Sequence, residues 1–176
     1  MPAPAPTAAI DVVDESNEPI GTAQRREVLP EGLNFRTVHV LVTDEDGELL
    51  LQRLGPRNDR HPHLWGSSVA GYLWAGENYA AGARRRLAEE LGVEGDPEFI
   101  GVTPMRDERS IKFIGVFHAS VARAAPHIQD PGHIEALNWL APTELIEALR
   151  LEPEVFTASL AHVVNFAMSD GRFTFG

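Results

Sequence analysis

Apolar and polar residues alternate through RTVHVLVT (residues 36–43), which reads as a strand. The polar turn DEDG follows, and then ELLLQRL (48–54) as the expected hairpin partner. Before these, IDVV (10–13) is a short strand and DESNEPIGTAQ (14–24) is polar and turn-like. GPRNDRHPHLWG (55–66) carries two prolines and two glycines and reads as a loop, followed by a strand in SSVAGYL (67–73). From 77 to 92 the period changes. Ala80, Ala83, Leu87, Ala88 and Leu91 fall on one helical stripe, with Gly92 as the stop. EFIGVTP (98–104) and SIKFIGVFHASV (110–121) are two more strands, joined by the charged loop MRDERS. EALNWL (135–140) is a short strand, and a helix starts with Pro142 at its first position. A last helix spans Pro153 to Met168, with Phe156, Leu160, Val163, Val164 and Ala167 on its apolar face. Mixed strands and helices with hairpin-length connections predict one α/β domain, a mixed sheet covered by helices.

The chain has 176 residues, 43% of them apolar, enough for one domain with a real core. Residues 1–9 are rich in Pro and Ala and predict a flexible arm, with a single domain over 10–176. The net charge is −11, which argues against nucleic acid and anionic membranes as partners. A small anionic substrate would need a local cationic patch or a metal to hold it. There is no cysteine, so thiol nucleophiles, disulfides and zinc–thiolate sites are excluded. The start lacks the features of a signal peptide and no apolar run is long enough to span a bilayer, so the expected location is cytoplasmic.

Candidate chemistry lies on the first helix. At about 100° per residue, Arg85, Arg86, Glu89 and Glu90 are expected on the face opposite the apolar stripe. Gly71 stands upstream at a strand end, where a missing side chain allows close backbone approach. Paired carboxylate oxygens in such a setting suit Mg²⁺ or Mn²⁺.

The spacing Gly71, Glu77, Arg85, Leu87, Glu89, Glu90, Gly92, Val93 resembles the Nudix box, G-x5-E-x7-R-E-U-x-E-E-x-G-U with U aliphatic. It aligns without a gap and fails at one specified position, where Arg86 replaces glutamate. GELLLQR, HLWGSSVAGYL and NWLAPTEL also look like the branch near isopentenyl-diphosphate isomerases. The resemblance implies an α/β/α sandwich around a mixed sheet, and divalent-metal hydrolysis of a diphosphate linked to another moiety, for example in a nucleoside diphosphate derivative. By position it implies Glu89, Glu90 and the carbonyl of Ala70 as metal ligands, and Glu77 with Arg85 as an ordering ion pair. Glu135 would help to hold metal or activate water. The isomerases depend on a cysteine in the strand before the box. Here that stretch holds Ser67 and Ser68, so isomerase activity is rejected.

Arg86 is three and four residues from Glu89 and Glu90, the spacing at which helix side chains meet. Three readings are open. The enzyme works through Glu89, Glu90 and outside carboxylates such as Glu135, Asp107 or Glu108. Alternatively, Arg86 contacts phosphate in place of metal and hydrolysis is impaired, leaving a nucleotide- or phosphate-binding domain. In the third, Arg86 swings into solvent. The working expectation is a Nudix-type diphosphatase weakened by Arg86.

Other candidates carry less. Arg53, Arg57 and Arg60 flank the 55–66 loop and could meet substrate phosphate, although solvation is the commoner fate. His61 and His63 are weak metal candidates, and His133 has even odds of being plain surface. Asp107, Glu108 and Arg109 are expected exposed on a hairpin loop, and Arg84 at the edge of the apolar stripe. Trp65, Trp74 and Trp139 are expected in the core or a pocket wall. The amphipathic C-terminal helix and the N-terminal arm could support a homodimer.

Overall fold

Strand β3 (Phe35–Thr43) is buried along almost its whole length because both of its faces are covered. In the computed structural model, which describes residues 8–170, successive β3 side chains serve two cores. Val38, Val40 and Val42 pack with Ala83, Leu87 and Leu91 of α1 (Tyr79–Leu91). Leu41 points the other way, into a core with Leu145 of α2 (Pro142–Leu151) and Leu160, Val163, Val164 and Ala167 of α3 (Ala158–Asp170). The result is the expected α/β/α sandwich. The other elements are β1 (Ala9–Val13), β2 (Pro19–Gln24), β4 (Leu49–Leu54), β5 (Trp65–Gly66), β6 (Val69–Tyr72), β7 (Glu98–Asp107), β8 (Ser110–Ser120) and β9 (Ile134–Leu140). The large sheet runs β5–β4–β3–β8–β7, with β6 on β3 and β9 on β4, and β3 and β8 are parallel. No described helix is long and apolar enough to cross a membrane.

Several expectations change. The first described strand already includes Ala9, while residues 1–7 of the expected arm lie outside the described residues. The polar stretch 14–24 is not only a turn. It returns as β2, pairing antiparallel with β1. This hairpin braces the loop before α1, because the Ala75 N–H donates to the Ala9 carbonyl and the Gly76 N–H to Asp11. The expected hairpin of β3 with β4 is reduced to the pair Thr43–Leu49. Beyond it β4 turns away to β9, and β6 takes the vacated edge of β3. The sheet therefore splays between β4 and β6. MRDERS is mostly strand, since β7 runs to Asp107 and the turn is only Glu108–Arg109. The last helix is broken near its start. Pro153–Val155 is one 3₁₀ turn, the Thr157 N–H donates to the Trp65 carbonyl, and Thr157 Oγ1 then caps α3 through the Leu160 N–H.

His39 lies fully inside the sheet's α3 face, its Nδ1 2.8 Å from Ser67 Oγ. Burial pushes its pKa down from 6.5 to about 3, and Lys112 and His162 act in the same sense. Above pH 6.5 the ring is neutral in both folded and unfolded chains. Between 6.5 and 3 only the unfolded chain takes up the proton, so stability falls as pH falls. The slope is at most about 1.4 kcal/mol per pH unit. Urea unfolding of His39→Gln should show a flatter stability profile across that window than the parent. Identical profiles would remove His39 as a source of acid sensitivity.

Candidate functional site

The free edge of β6 faces the side of α1, and the two meet backbone to side chain. Asn78 caps α1 by accepting the Ala81 N–H, and Gly92 closes it in the left-handed conformation, φ 68°. The buried face of the helix is Gly82, Ala83, Arg86, Leu87, Glu90 and Leu91. Arg86 and Glu90 thus belong to the inward stripe and not to the opposite face. Ala80 is exposed instead, and Arg84 leaves the stripe to pair with Asp96 at the surface.

The inward pair is tied to β6. Glu90 accepts the Ala70 N–H at 3.1 Å through Oε2. Its Oε1 lies 3.2 Å from Arg86 Nη2, 3.3 Å from His133 Nε2 and 3.4 Å from Gln52 Nε2. Arg86 Nη1 donates to Glu89 Oε2 at 3.0 Å, and Nη2 donates to the Ala70 carbonyl at 3.2 Å. The side chains of Arg86, Glu89 and Glu90 are 3%, 5% and 2% exposed, so these charges are screened little by solvent. Gly71 makes the approach feasible. A Cβ there would collide with the Arg86 side chain.

Glu77 and Arg85 form the expected ordering pair, at 2.7 and 2.8 Å. Glu77 also accepts the Trp74 N–H, while Arg85 donates to the Tyr72 carbonyl and reaches Glu89 at 3.1 Å. The Arg85 guanidinium lies 3.9 Å from the centroid of the Trp74 ring, which gives that tryptophan a cation–π partner.

Ala70, Glu89 and Glu90 do converge on one point, and that point holds the guanidinium of Arg86. Replacing glutamate by arginine shifts the local charge by two units, the same change a divalent ion would bring. The residues present do not fit a divalent ion there. Glu89 Oε2, Glu90 Oε1 and the Ala70 carbonyl, three of the oxygens that would ligate it, are engaged by the Arg86 guanidinium, whose fixed positive charge stands where the cation would sit. Among the described residues, no group of three or more His, Asp or Glu is placed to hold a metal. Glu89 Oε1 and Arg86 Nε are buried and have no hydrogen-bond partner among the described residues.

The remaining candidates separate. Alternation along β4 puts Gln52 toward Glu90 and Arg53 on the opposite face. Arg53 there meets Glu135 at 3.0 Å, and His63 Nδ1 meets the same carboxylate at 2.8 Å. Glu135 is therefore committed to these two and does not join the α1 carboxylates. Arg57 pairs with Asp130 at the surface. These contacts, with Gly55 N–H to the His133 carbonyl and Arg57 N–H to that of Gly132, strap the 55–64 loop to the segment before β9. Asp107 is not exposed. It is 9% accessible and paired with Arg60 and Lys112. Ser67 and Ser68 are buried, bonding His39 and the carbonyl of Leu50. Gln52 is the site residue that sequence reasoning missed, and His133, balanced there between site and plain surface, belongs to the site. The one signal for His133 was its position two residues before Glu135.

Residues 33–160 match the NUDIX domain family, well over half of the chain. Over 136 residues the chain is 30% identical to an uncharacterized Nudix hydrolase of Yersinia pestis, covering 77% of this chain and 74% of the relative. It is 31% identical over 169 residues to the isopentenyl-diphosphate Delta-isomerase of Nocardia farcinica, covering 90% of this chain and 93% of that one. Among solved structures, DR0079 from Deinococcus radiodurans superposes with a TM-score of 0.74 at 24% identity, covering 89% and 97% of the two chains. The NUDIX domain of Shewanella oneidensis NrtR, solved with ADP ribose, gives 0.60 at 19% identity, covering 80% and 89%. The fold, the box from Gly71 to Val93 and these matches make the chain a member of the Nudix hydrolase family, whose members generally use divalent cations.

The Gly71–Arg86 contact can be measured by a double-mutant cycle. Gly71→Ala should cost about 1–3 kcal/mol in urea unfolding. Most of that penalty should vanish when Arg86→Ala is already present. An equal penalty in both backgrounds would mean that the added methyl meets something other than Arg86.

Proposed function

We propose that the protein binds a small molecule carrying a diphosphate linkage, such as a nucleoside diphosphate derivative, and hydrolyses that linkage only weakly. One observation carries this reading: the Arg86 guanidinium holds the point on which Ala70, Glu89 and Glu90 converge. Two unit charges about 4 Å apart interact by about 4 kcal/mol at an effective dielectric constant of 20. Placing Mg²⁺ or Mn²⁺ beside Arg86 would meet repulsion of that order or more, and each 1.4 kcal/mol is about tenfold in affinity. In its place, Arg86 brings a fixed positive charge and bidentate donor geometry suited to phosphate oxygens. Those donors now serve carboxylates, so a phosphate would have to compete for them.

A second reading, binding without any turnover, is favoured by the same geometry if Arg86 never leaves its partners. The ADP-ribose complex of the Shewanella NrtR domain makes ADP-ribose a sensible member of a test panel. The isomerase relative does not extend its reaction to this chain, which has no cysteine to serve as the proton-transferring thiol.

Hydrolysis of a panel of nucleoside diphosphate derivatives should be slow in the parent across Mg²⁺ and Mn²⁺ titrations. Arg86→Glu restores the third carboxylate and should raise metal-dependent phosphate release at least tenfold. A parent enzyme already fast with metal, and unchanged by the substitution, would overturn the proposal.

A further inference from the structure

The chain blocks one of its open strand edges and leaves another unblocked. β7 closes the large sheet with ten residues, and no strand pairs with its outer side among the described residues. An edge of that length invites pairing with another chain unless something prevents it. Here Pro104 has no N–H to offer, the register shifts between Phe99 and Gly101, and Arg106 adds an exposed charge. The small sheet ends at β2, PIGTAQ. The far side of β1 is taken, because the Val13 N–H donates to the Asn34 carbonyl and the Ala9 carbonyl accepts the Ala75 N–H. β2 contains no charged residue. Its defences are Pro19 and the register shift opposite Val12 and Val13. Both sit at its start and leave the rest of the edge open.

Alternation fixes which backbone groups face outward. The Arg25 N–H points at β1, where it donates to the Ala8 carbonyl at 2.9 Å. Ala23 therefore also faces β1, while Thr22 and Gln24 turn their N–H and C=O groups to the open side. The Gln24 N–H is already used, donating to Glu27 Oε2 at 3.1 Å. Its carbonyl and both backbone groups of Thr22 have no protein partner among the described residues. Beside them Ile20 is 66% exposed, the highest value for a large apolar side chain among the described residues. Open amides next to an exposed isoleucine suit another strand better than they suit water.

We infer that β2 pairs antiparallel with β2 of a second copy of this chain, joining the two hairpins into one four-stranded sheet. A two-fold axis at Thr22 uses the open groups. Each Thr22 exchanges N–H and C=O with Thr22 of the other copy, and each Ile20 lies across from Gln24, whose carbonyl is free to accept. Charge selects the same direction and register. Glu18 stands four residues before Thr22 and Arg26 four residues after it, the latter in the 3₁₀ turn that follows the strand. Both side chains are exposed, and neither has an ion-pair partner among the described residues. The two-fold arrangement brings Glu18 of each copy to Arg26 of the other, whereas parallel in-register strands would set like charges together. The C-terminal helix, the other apolar element that could join two copies, spends its apolar face on the core of its own protomer. Because the paired strands are short, the contact belongs to the weak, reversible class of interface.

Sedimentation equilibrium of the full chain over a wide concentration range tests the pairing. The parent should show a reversible monomer–dimer equilibrium. Thr22→Pro removes an N–H that the ladder with β1 does not use, so the hairpin should survive while self-association weakens at least tenfold. An unchanged thermal melt of the dilute, monomeric protein checks that the fold is intact. Glu18→Arg and Arg26→Glu should each weaken association severalfold. Mixing these two variants should restore it, because both charge contacts in the mixed dimer then join opposite signs. Should Thr22→Pro fold poorly, the charge variants and their mixture decide alone. A parent that stays monomeric at the highest concentration overturns the inference. So does a dimer that neither Thr22→Pro nor the charge variants weaken, since its interface must then lie elsewhere.

Discussion

A guanidinium buried between two carboxylates and a backbone carbonyl governs the local structure. Each of these ions is nearly inaccessible, so each relies on the others to offset the cost of leaving water. The arrangement dictates its surroundings. Gly71 must lack a side chain, and α1 must present Arg86 and Glu90 inward. The edge of β6 must stay unpaired by any strand so that Ala70 can both accept from Arg86 and donate to Glu90. Deleting one partner of such a buried set typically costs about 3–5 kcal/mol. The arginine is thus built into the fold as well as placed at the chemical centre. That is why the solvent-facing reading of Arg86 fails.

The splay of the sheet gives this centre its setting. Because β4 leaves β3 after a single pair, a gap opens that β6 only partly fills. Gln52 from β4 and His133 from the segment before β9 reach Glu90 across it. At the end of β6 the Tyr72 ring is covered by the Arg25 guanidinium and stacks on Phe35. One short strand therefore presents the box cluster along its edge and an aromatic contact with the N-terminal hairpin side at its end.

Much of this was legible in the chain. The period-two pattern of β3, the stripe Ala83–Leu87–Leu91 and the fixed spacing from Gly71 to Gly92 gave the sandwich and the box. The rotation of α1 was misread because alanines say little about burial. Ala80 and Ala88 fit the apolar stripe by spacing, while a satisfied Arg–Glu pair takes the inward place. Pairing partners were also beyond local reading. Arg53 with Glu135, Arg57 with Asp130 and Arg60 with Asp107 each join residues more than 45 positions apart, and alternation sent Arg53 away from Glu90. Asp107 looked like turn because charged residues surround it, yet its strand continues and Arg60 and Lys112 neutralise it there.

The hairpin of β1 and β2 has a consequence for where the working unit ends. It lies wholly before residue 33, where the family match begins. Yet the loop leading into α1 hangs from Ala9 and Asp11 by its own backbone amides, and Asn17 holds both Arg36 and the hydroxyl of Tyr79. A boundary drawn by similarity alone would excise this scaffold and leave the loop into α1 without the backbone that holds it.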